Sequence, residues 1–204
     1  MQSSGRTCYN RATHVTEPGE DPMSPVIDQA VTWRKVEERL AAETDPVLRR
    51  NLETILDHMK SESAGDIDGL LATLADDVHY HAYGAPDPLS SPQGKDGVRA
   101  FYERFVASGA GRLQLDIDRL VVDRECILTE GVMRMAYPGR TLQAMGITVD
   151  DPDAHYLYEA RMATLWPFDA EGKVLGEDTY TGSDGFAGIA ERKLDEADII
   201  AYTG

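Results

Sequence analysis

The order of hydrophobic periodicities along the chain restricts its fold more than any other feature. Apolar residues recur at helical spacing in three segments before the first strand pattern, and β-type patterns dominate after a fourth helical segment. The predicted helices cover residues 27–43, 47–59, 67–76 and 98–105, and the predicted strands cover residues 78–83, 113–122, 126–137, 155–168 and 173–181. Helices followed by a four-stranded antiparallel meander are typical of an α+β fold, in which helices cover one face of the sheet. We therefore predict a cone-shaped barrel, formed by a strongly curved, mostly antiparallel sheet wrapped around N-terminal helices.

The chain is predicted to form one domain with an extension at each end. The first segment mixes Ser, Gly, Thr, Pro and charges without any period, which is typical of a disordered tail, and Met23 is an alternative start. The predicted parts are a disordered tail at 1–25, a helical extension at 26–44, the main domain at 45–192 and a C-terminal tail at 193–204. Residues 139–154 are predicted to be a long hairpin loop, either a mobile lid or a plain surface hairpin.

Composition excludes several classes of partner. The 204 residues are 42% hydrophobic, which is enough for one core. With 20 Lys and Arg against 36 Asp and Glu, the formal charge of −16 repels nucleic-acid phosphates and anionic membranes, although a solvated surface explains the charge equally simply. The two cysteines, Cys8 and Cys126, do not make a disulfide framework, and no signal peptide is recognisable. We therefore predict a cytoplasmic protein without nucleic-acid or membrane partners.

Three segments carry a resemblance to a known superfamily. They are residues 63–78 (SAGDIDGLLATLADDV), 94–102 (GKDGVRAFY) and 168–174 (FDAEGKV). The chain resembles the nuclear-transport-factor-2-like superfamily over residues 47–190, in particular SnoaL-like polyketide cyclases, ketosteroid isomerases and limonene-epoxide hydrolases. The resemblance implies a cystatin-like or SnoaL-like cone with an apolar pocket, no cofactor, and a homodimer formed through the outer sheet face. It does not fix the reaction, because the superfamily contains isomerases, dehydratases, cyclases, hydrolases and non-catalytic binding modules.

The catalytic positions of two related families are mostly replaced in this chain. By the resemblance, the general base of ketosteroid isomerases falls on Ala82, and their two oxyanion donors fall on His58 and Thr164. In limonene-epoxide hydrolases the Tyr that helps to hold the water matches Tyr80, and the Asn beside it falls on Ala82. The Arg and two Asp residues of that hydrolase site fall on Gly131, Met133 and Thr179. The site of either family is therefore not expected here in its usual form.

Four residues are the candidates for acid/base chemistry. His58 lies on the flank of a helical apolar stripe, from which an imidazole could reach the pocket mouth, or serve as a hydrogen-bonded structural residue. Tyr80 is expected to point into the cone. Glu177 and Asp178 are adjacent, so one of them should face the cavity; the ungapped alignment favours Glu177 and a β-bulge would favour Asp178. Burial in an apolar cavity would raise the pKa of either carboxyl and suit it to proton transfer.

The alternation of strand residues predicts the wall of the pocket. The candidate ligand-binding residues are His81, Ala82, Phe101, Met133, Tyr137, Tyr158, Met162, Thr164, Trp166 and Tyr180. If Tyr80 points inward, His79 and His81 point outward and could supply half of a metal site. No matching partner ligands are evident, so no metal is predicted, and His81 is retained because SnoaL-like relatives often carry a His there. His155, Glu159 and Arg161 should lie on the outer face, in cross-strand ion pairs or a dimer interface.

Three functions remain open at this stage. The leading hypothesis is a cofactor-independent acid/base enzyme, an isomerase, cyclase, dehydratase or hydrolase, for a small apolar polyketide-, terpenoid- or steroid-like ligand. The alternatives are a non-catalytic small-molecule-binding or assembly module of the same fold, and an epoxide hydrolase with a rearranged site. A buried carboxyl or imidazole with a strongly shifted pKa would favour the enzyme, and a pocket without titratable groups would favour the module.

Overall fold

The computed structural model describes residues 25–83 and 88–203, which form five α-helices and eight strands. The helices are α1 (Val31–Ala42), α2 (Pro46–Ala64), α3 (Ile67–Ala72), α4 (Gly94–Ser108) and α5 (Gly139–Ala144). The strands are β1 (Ile27–Asp28), β2 (Leu74–Tyr83), β3 (Leu113–Val122), β4 (Cys126–Pro138), β5 (His155–Pro167), β6 (Val174–Thr181), β7 (Lys193–Leu194) and β8 (Ile199–Ile200). Most of the predicted N-terminal tail, including Cys8 and Met23, lies outside the described residues. None of the described helices is both long and apolar enough to cross a membrane.

The main sheet has the strand order β2-β6-β5-β4-β3, with β7 paired to β5. All of its pairs are antiparallel except β2 with β6, which run parallel. The sheet is therefore mostly antiparallel, as predicted, but in the described part of the chain it is open and does not close into a barrel. β1 and β8 form a separate two-stranded parallel pair, which joins the two ends of the domain.

Local sequence signals explain why α2, the helix that supports the site, begins and ends where it does. The Asp45 carboxylate accepts hydrogen bonds from the backbone N–H groups of Val47 (2.9 Å) and Leu48 (3.3 Å), and Pro46 occupies the first helical turn. Gly65 ends the helix in the left-handed conformation, with φ at 70°. The apolar stripe of α2 packs its buried side chains against the inner face of the sheet, in one core with β2, β4 and β5.

A second cluster of buried hydrophobic side chains lies on the inner face of the sheet, apart from the core around α2. Its buried members are Leu142, Val149, Tyr156, Tyr158, Ala160 and Ile189. The Tyr156 hydroxyl donates a hydrogen bond to Asp150 (2.5 Å) and accepts one from the backbone N–H of Asp151 (3.0 Å). The segment 139–154, predicted as a loop, thus begins with helix α5 and is packed against β5 rather than standing free as a lid.

Cross-strand ion pairs cover part of the outer face, as predicted for Glu159 and Arg161. Arg134 pairs with Glu159 at 2.8 Å, and Arg161 pairs with Glu130 and Asp118, each at 2.6 Å. These residues alternate with the inward-facing ones along their strands, so Glu159 and Arg161 lie on the outer face, as strand alternation predicted.

Several element boundaries differ from the sequence predictions: α2 and α4 are longer at their ends, and other boundaries are decided by distant segments. The first helix begins at Val31 rather than at residue 27, since Ile27 and Asp28 pair with β8. The third helix ends at Ala72, and β2 begins at Leu74, four residues early, because Leu74 pairs with Val174 in β6. The predicted tail at 193–204 contributes β7 and β8, which pair with β5 and β1.

Candidate functional site

A cavity of about 250 Å³ lies between α2, α4 and the inner face of the sheet. Its wall is mostly apolar and includes Met59, Phe101, Phe105, Leu113, Leu115, Met133, Met135, Met162 and Trp166. A few hydroxyl groups interrupt this wall, from Thr32, Ser90, Thr164, Thr179 and Thr181. A concave, largely apolar space with few polar groups is typical of a small-molecule site.

Four polar side chains from four elements form one end of the cavity, which we call the carboxyl end. They are Glu62 of α2, Tyr80 of β2, Tyr102 of α4 and Glu177 of β6. Tyr80 and Glu177 are register partners on neighbouring parallel strands, so their side chains lie side by side on the inner face. Glu62 follows Met59 by three residues and Ile55 by seven, so it continues the buried stripe of α2 to the cavity.

Burial raises the pKa of both carboxyl groups. For Glu62 the loss of hydration raises the pKa to about 7, although a hydrogen bond from Tyr102 opposes the shift. For Glu177 the loss of hydration, and then the negative charge of Glu62, raise the pKa well above its usual value. Both side chains keep partial exposure because they border the open cavity. The pair therefore titrates as a unit and retains one proton near neutral pH.

The two tyrosines complete the carboxyl end. Burial, followed by the charge of Glu177, raises the pKa of Tyr80 and of Tyr102 well above the usual value, so both are neutral hydroxyls. Tyr80 is 4% exposed, and its hydroxyl makes no hydrogen bond of normal geometry. Tyr102 and Glu177 lie beside this hydroxyl and shift its pKa without hydrogen bonds of normal geometry, so a bound molecule can provide its hydrogen-bond partner.

His58 does not reach the pocket mouth, as its catalytic assignment required, and is instead the hydrogen-bonded structural residue that was the alternative. Its side chain is fully buried beside Trp166, with the ring centroids 5.3 Å apart. The Thr73 hydroxyl donates to the carbonyl oxygen of Leu70 (2.6 Å), so it accepts from Nδ1–H of His58 (2.9 Å). Burial lowers the pKa of His58 to about 3, which leaves a neutral ring. His58 is thus a packed residue behind the cavity wall, because its face of α2 points to the core.

Asp178 faces away from the cavity, and Glu177 takes the inward position that the ungapped alignment favoured. The Asp178 carboxylate bonds Nδ1 of His81 on the outer face at 2.6 Å. Tyr180 also lies outside, where its ring stacks on Tyr83 with the centroids 4.5 Å apart. Tyr180 was predicted to bind ligand, but the strand alternation that turns Glu177 inward turns Tyr180 outward.

The remaining predicted wall residues divide into two groups. Those that border the cavity are His81, Ala82, Phe101, Met133, Met162, Thr164 and Trp166. Tyr137 and Tyr158 do not border it; they pack in the second cluster, where Phe186 lies 5.1 and 4.8 Å from their rings. They share the inner face with the cavity residues, but the segment after β6 covers them.

Sequence reasoning missed Glu62 and Tyr102. Glu62 was detectable, because it occupies the position at which the apolar stripe of α2 would place another apolar residue. A carboxyl on a buried stripe requires a polar partner or a raised pKa, and either one suggests function. Tyr102 lies on the apolar face of the predicted helix at 98–105, where nothing in the local pattern separates it from its apolar neighbours.

The outward histidines do not assemble a metal centre. The rings of His79 and His81 lie 4.8 Å apart. Within residues 25–83 and 88–203, no three His, Cys, Asp or Glu side chains are arranged to share a metal ion. His81 instead has Asp178 as its partner.

Comparison with known proteins adds a family and a fold. The family model of the SnoaL-like domain matches residues 55–175. A Shewanella putrefaciens CN-32 protein described as a SnoaL-like polyketide cyclase superposes with a TM-score of 0.60 at 12% identity, over 76% of this chain and 93% of that one. A nuclear-transport-factor-2-like protein of unknown function from Burkholderia pseudomallei K96243 gives 0.53 at 19% identity, over 69% and 97%. TerC, crystallised with polyporic acid, gives 0.52 at 17% identity, over 70% and 98%.

The family model confirms the predicted superfamily, and the solved structures confirm the α+β cone fold. No curated protein matches the chain by sequence.

Proposed function

The chain belongs to the SnoaL-like domain family, and we propose that it is a cofactor-independent enzyme that moves protons on a small, largely apolar molecule held in the cavity. Isomerisation, cyclisation and dehydration of a carbonyl compound all begin with loss of a proton from the carbon next to the carbonyl group. The proposal covers this shared step. A homodimer and a cytoplasmic location remain predictions from the sequence.

One observation carries the proposal: Glu62 and Glu177 face the same apolar cavity with raised pKa values. A general base works best when its pKa lies near the working pH, and the pKa of Glu62 lies at about 7. A carboxyl that stays protonated at that pH can donate a hydrogen bond, and burial, followed by the charge of Glu62, raises the pKa of Glu177 well above its usual value. The pair thus supplies one base and one acid at the same pH.

The proposed step assigns a role to each group at the carboxyl end. The Glu62 carboxylate removes a proton from the carbon next to the carbonyl group. The electrons of the broken C–H bond move to the carbonyl oxygen, to which Glu177 and the Tyr80 hydroxyl donate hydrogen bonds. In isomerisation the proton returns from Glu62 to another carbon while the electrons on the oxygen re-form the carbonyl group. In dehydration it goes to the departing hydroxyl group as the C–O bond breaks, and in cyclisation to the oxygen of the second carbonyl group that the intermediate attacks. The apolar wall keeps bulk water away from the intermediate.

The neighbours favour a carbonyl-bearing ligand over an epoxide. One is described as a polyketide cyclase, and TerC was crystallised with polyporic acid. The residues that would hold an epoxide-opening site are Gly131, Met133 and Thr179, none of which is charged. A non-catalytic module is less supported, because such a cavity would have no reason to keep two carboxyl groups away from water.

Hydrogen exchange tests the proposal. Cyclic diketones, enones and hydroxyquinones would be screened for retention by native mass spectrometry, and those that bind would be incubated with the protein in D2O. We expect the protein to speed deuterium uptake next to the carbonyl group of a bound compound, and Glu62→Gln to slow that uptake by about 10²–10⁴-fold, the usual contribution of a general base.

Glu177→Gln and Asp178→Asn complete the test. Glu177→Gln keeps a hydrogen-bond donor, so it should slow deuterium uptake less than Glu62→Gln does. Asp178→Asn alters the neighbouring residue on the outer face. With this variant, bound compounds should take up deuterium at the wild-type rate. If bound compounds exchange equally fast with wild type and with Glu62→Gln, the proposal is wrong.

A further inference from the structure

In the described part of the chain, the carboxyl end of the cavity has two carboxyl groups and no cationic side chain beside them. Glu62 and Glu177 border it together, and no Lys or Arg among the described residues does so. His81 borders the mouth but turns its Nδ1 to Asp178 on the outer face, 2.6 Å away. His58, one turn before Glu62 on α2, is buried behind the wall and bonded to Thr73. A negative charge in an apolar cavity is costly unless a cation approaches it.

Aromatic rings surround the same end. Tyr80, Phe101 and Tyr102 meet edge to face, with centroid distances of 5.2 to 6.4 Å. Phe105 and Trp166 extend this aromatic lining along the cavity. Because the rings lie at 74° to 89° to one another, they form a corner rather than a flat stack. Ring faces attract cations, and corners of aromatic rings are a known way to hold an ammonium group.

The Tyr80 hydroxyl is a further polar group at the carboxyl end. It is buried and borders the cavity, and its neighbours Tyr102 and Glu177 shift its pKa but make no hydrogen bond of normal geometry with it. Buried polar atoms are rarely left unpaired, so this oxygen points to a polar group supplied by a ligand. An N–H group of an ammonium ion could donate to it.

We propose that this cavity also binds a monocation, a protonated amine attached to an apolar body, whose ammonium group takes the place of the substrate's carbonyl group and lies between Glu62, Glu177 and the ring of Tyr80. This inference rests on the proposed function only in taking the cavity as the ligand site. The apolar body would lie against the methionine and leucine side chains farther along the wall. One ammonium group balances the single negative charge that the carboxyl pair holds near neutral pH.

The ligand's charge and the pH at which it binds are linked. A cation favours the ionised state of the pair, whereas a neutral ketone favours the protonated state, because it needs a donor. Raising the pH through about 7, where Glu62 titrates, should therefore tighten the binding of a cation and leave that of a ketone unchanged or weaker. An anion should be rejected at either pH. Tyr80 and Tyr102 stay neutral over this range, because their pKa values are raised.

Three naphthalene probes with the same apolar body test the inference by calorimetry: 2-naphthylmethylamine, 2-acetonaphthone and 2-naphthoate. We expect the ammonium probe to bind at least tenfold more tightly than the ketone at pH 8. It should bind about tenfold more tightly at pH 8 than at pH 6, the change for one carboxyl with a pKa of about 7. Glu62→Gln should remove that pH dependence, and Asp178→Asn on the outer face should leave it intact.

Tighter binding of the ketone, an ammonium affinity that does not change with pH, or no binding of the ammonium probe would each overturn the inference. Equal effects of Glu62→Gln and Asp178→Asn would also overturn it, since they would place the amine outside the cavity. The proposed function can fail separately. Ammonium binding with the expected pH dependence, together with ketone exchange unaffected by Glu62→Gln, would identify a binding protein and not an enzyme.

Discussion

Burial acts on His58 and on the two cavity glutamates by one mechanism with opposite effects on protonation. Removing water disfavours the charged form of any group. His58 therefore loses its proton, and its pKa falls to about 3, while Glu62 and Glu177 keep theirs longer than usual. The difference in role comes from position: His58 packs inside the core and Glu62, one turn later, reaches the cavity.

The first prediction concerns stability in acid. The pKa of His58 is about 3 in the fold, against 6.5 as the ordinary value. Its contribution to stability is therefore fully present above pH 6.5 and is lost as the pH falls towards 3. His58→Asn keeps an N–H donor for Thr73 but does not titrate. We expect the Tm of the wild type to fall more between pH 7 and pH 4.5 than the Tm of the variant.

This comparison uses the change in Tm and not its absolute value. Asn is smaller than His, so the variant should melt earlier at pH 7. The glutamate pair titrates in both proteins, so its effect cancels in the difference. Equal falls in Tm would show that His58 is not held neutral by burial.

Sequence reasoning found inward strand residues more reliably than inward helix residues. The resemblance favoured Tyr80 and Glu177 as cavity residues, and alternation then assigns their neighbours to the outer face, because successive strand residues point to opposite faces. Alternation thus placed Asp178 outside once Glu177 was inside. For His58 and Glu62, helical period shows only that a residue lies near the buried stripe. Whether that part of the stripe meets core or cavity depends on β5 and α4, which lie far away in sequence.

At the scale of elements, predicted and observed strand boundaries agree best where turn residues separate one strand from the next. β3 matches its predicted range, and β4 extends one residue beyond it, because turn residues such as Asp123 and Arg124 separate them. The starts of β1 and β2 were missed. Both depend on pairing with strands more than 90 residues away in sequence, and local pattern contains no information on such pairing.

The segment after β6 was not predicted to have a structural role, yet it covers the second cluster. Phe186 packs on Tyr137 and Tyr158, and Arg192 donates hydrogen bonds to the carbonyl oxygens of Gly185 (2.7 Å) and Ala187 (3.0 Å). The segment then continues into β7, which pairs with β5. Together these contacts hold it against the inner face.

A glycine in this segment provides the second prediction. A Cβ atom at Gly185 would lie 2.3 Å from the ring of Tyr158, so Gly185→Ala must displace the ring or the segment. We expect a loss of about 1–3 kcal/mol in the free energy of unfolding, the usual cost of overpacking. Chemical denaturation would measure it.

Gly182→Ala is the matched control. Its Cβ atom would make an ordinary contact, 3.5 Å from the carbonyl oxygen of Arg161. We expect a change within about 0.5 kcal/mol. If both alanine variants unfold alike, the segment does not pack on Tyr158 as described.

At the scale of the whole molecule, the fold could be predicted from the sequence and the site only in part. Helices followed by a β-meander indicated an α+β cone, and the resemblance of three short segments indicated the superfamily. The open sheet was not foreseen, because closure depends on the edges β2 and β3 and not on any local pattern. The pairing of Glu62 with Glu177 was beyond the sequence, because it requires the end of α2 to meet β6 across the cavity.

The central claim is that these two carboxyls hold their protons to a higher pH than ordinary glutamates, and that the pair keeps one proton after Glu62 has ionised. The most direct test is a carbon NMR titration of the full chain labelled with 13C at the glutamate side-chain carboxyl, with Glu62→Gln and Glu177→Gln to assign the signals. We predict two signals that remain protonated after the other glutamates have ionised near their usual pKa of about 4.3. One should titrate at about 7 and disappear in Glu62→Gln. Titration of every glutamate near the usual value would contradict the account.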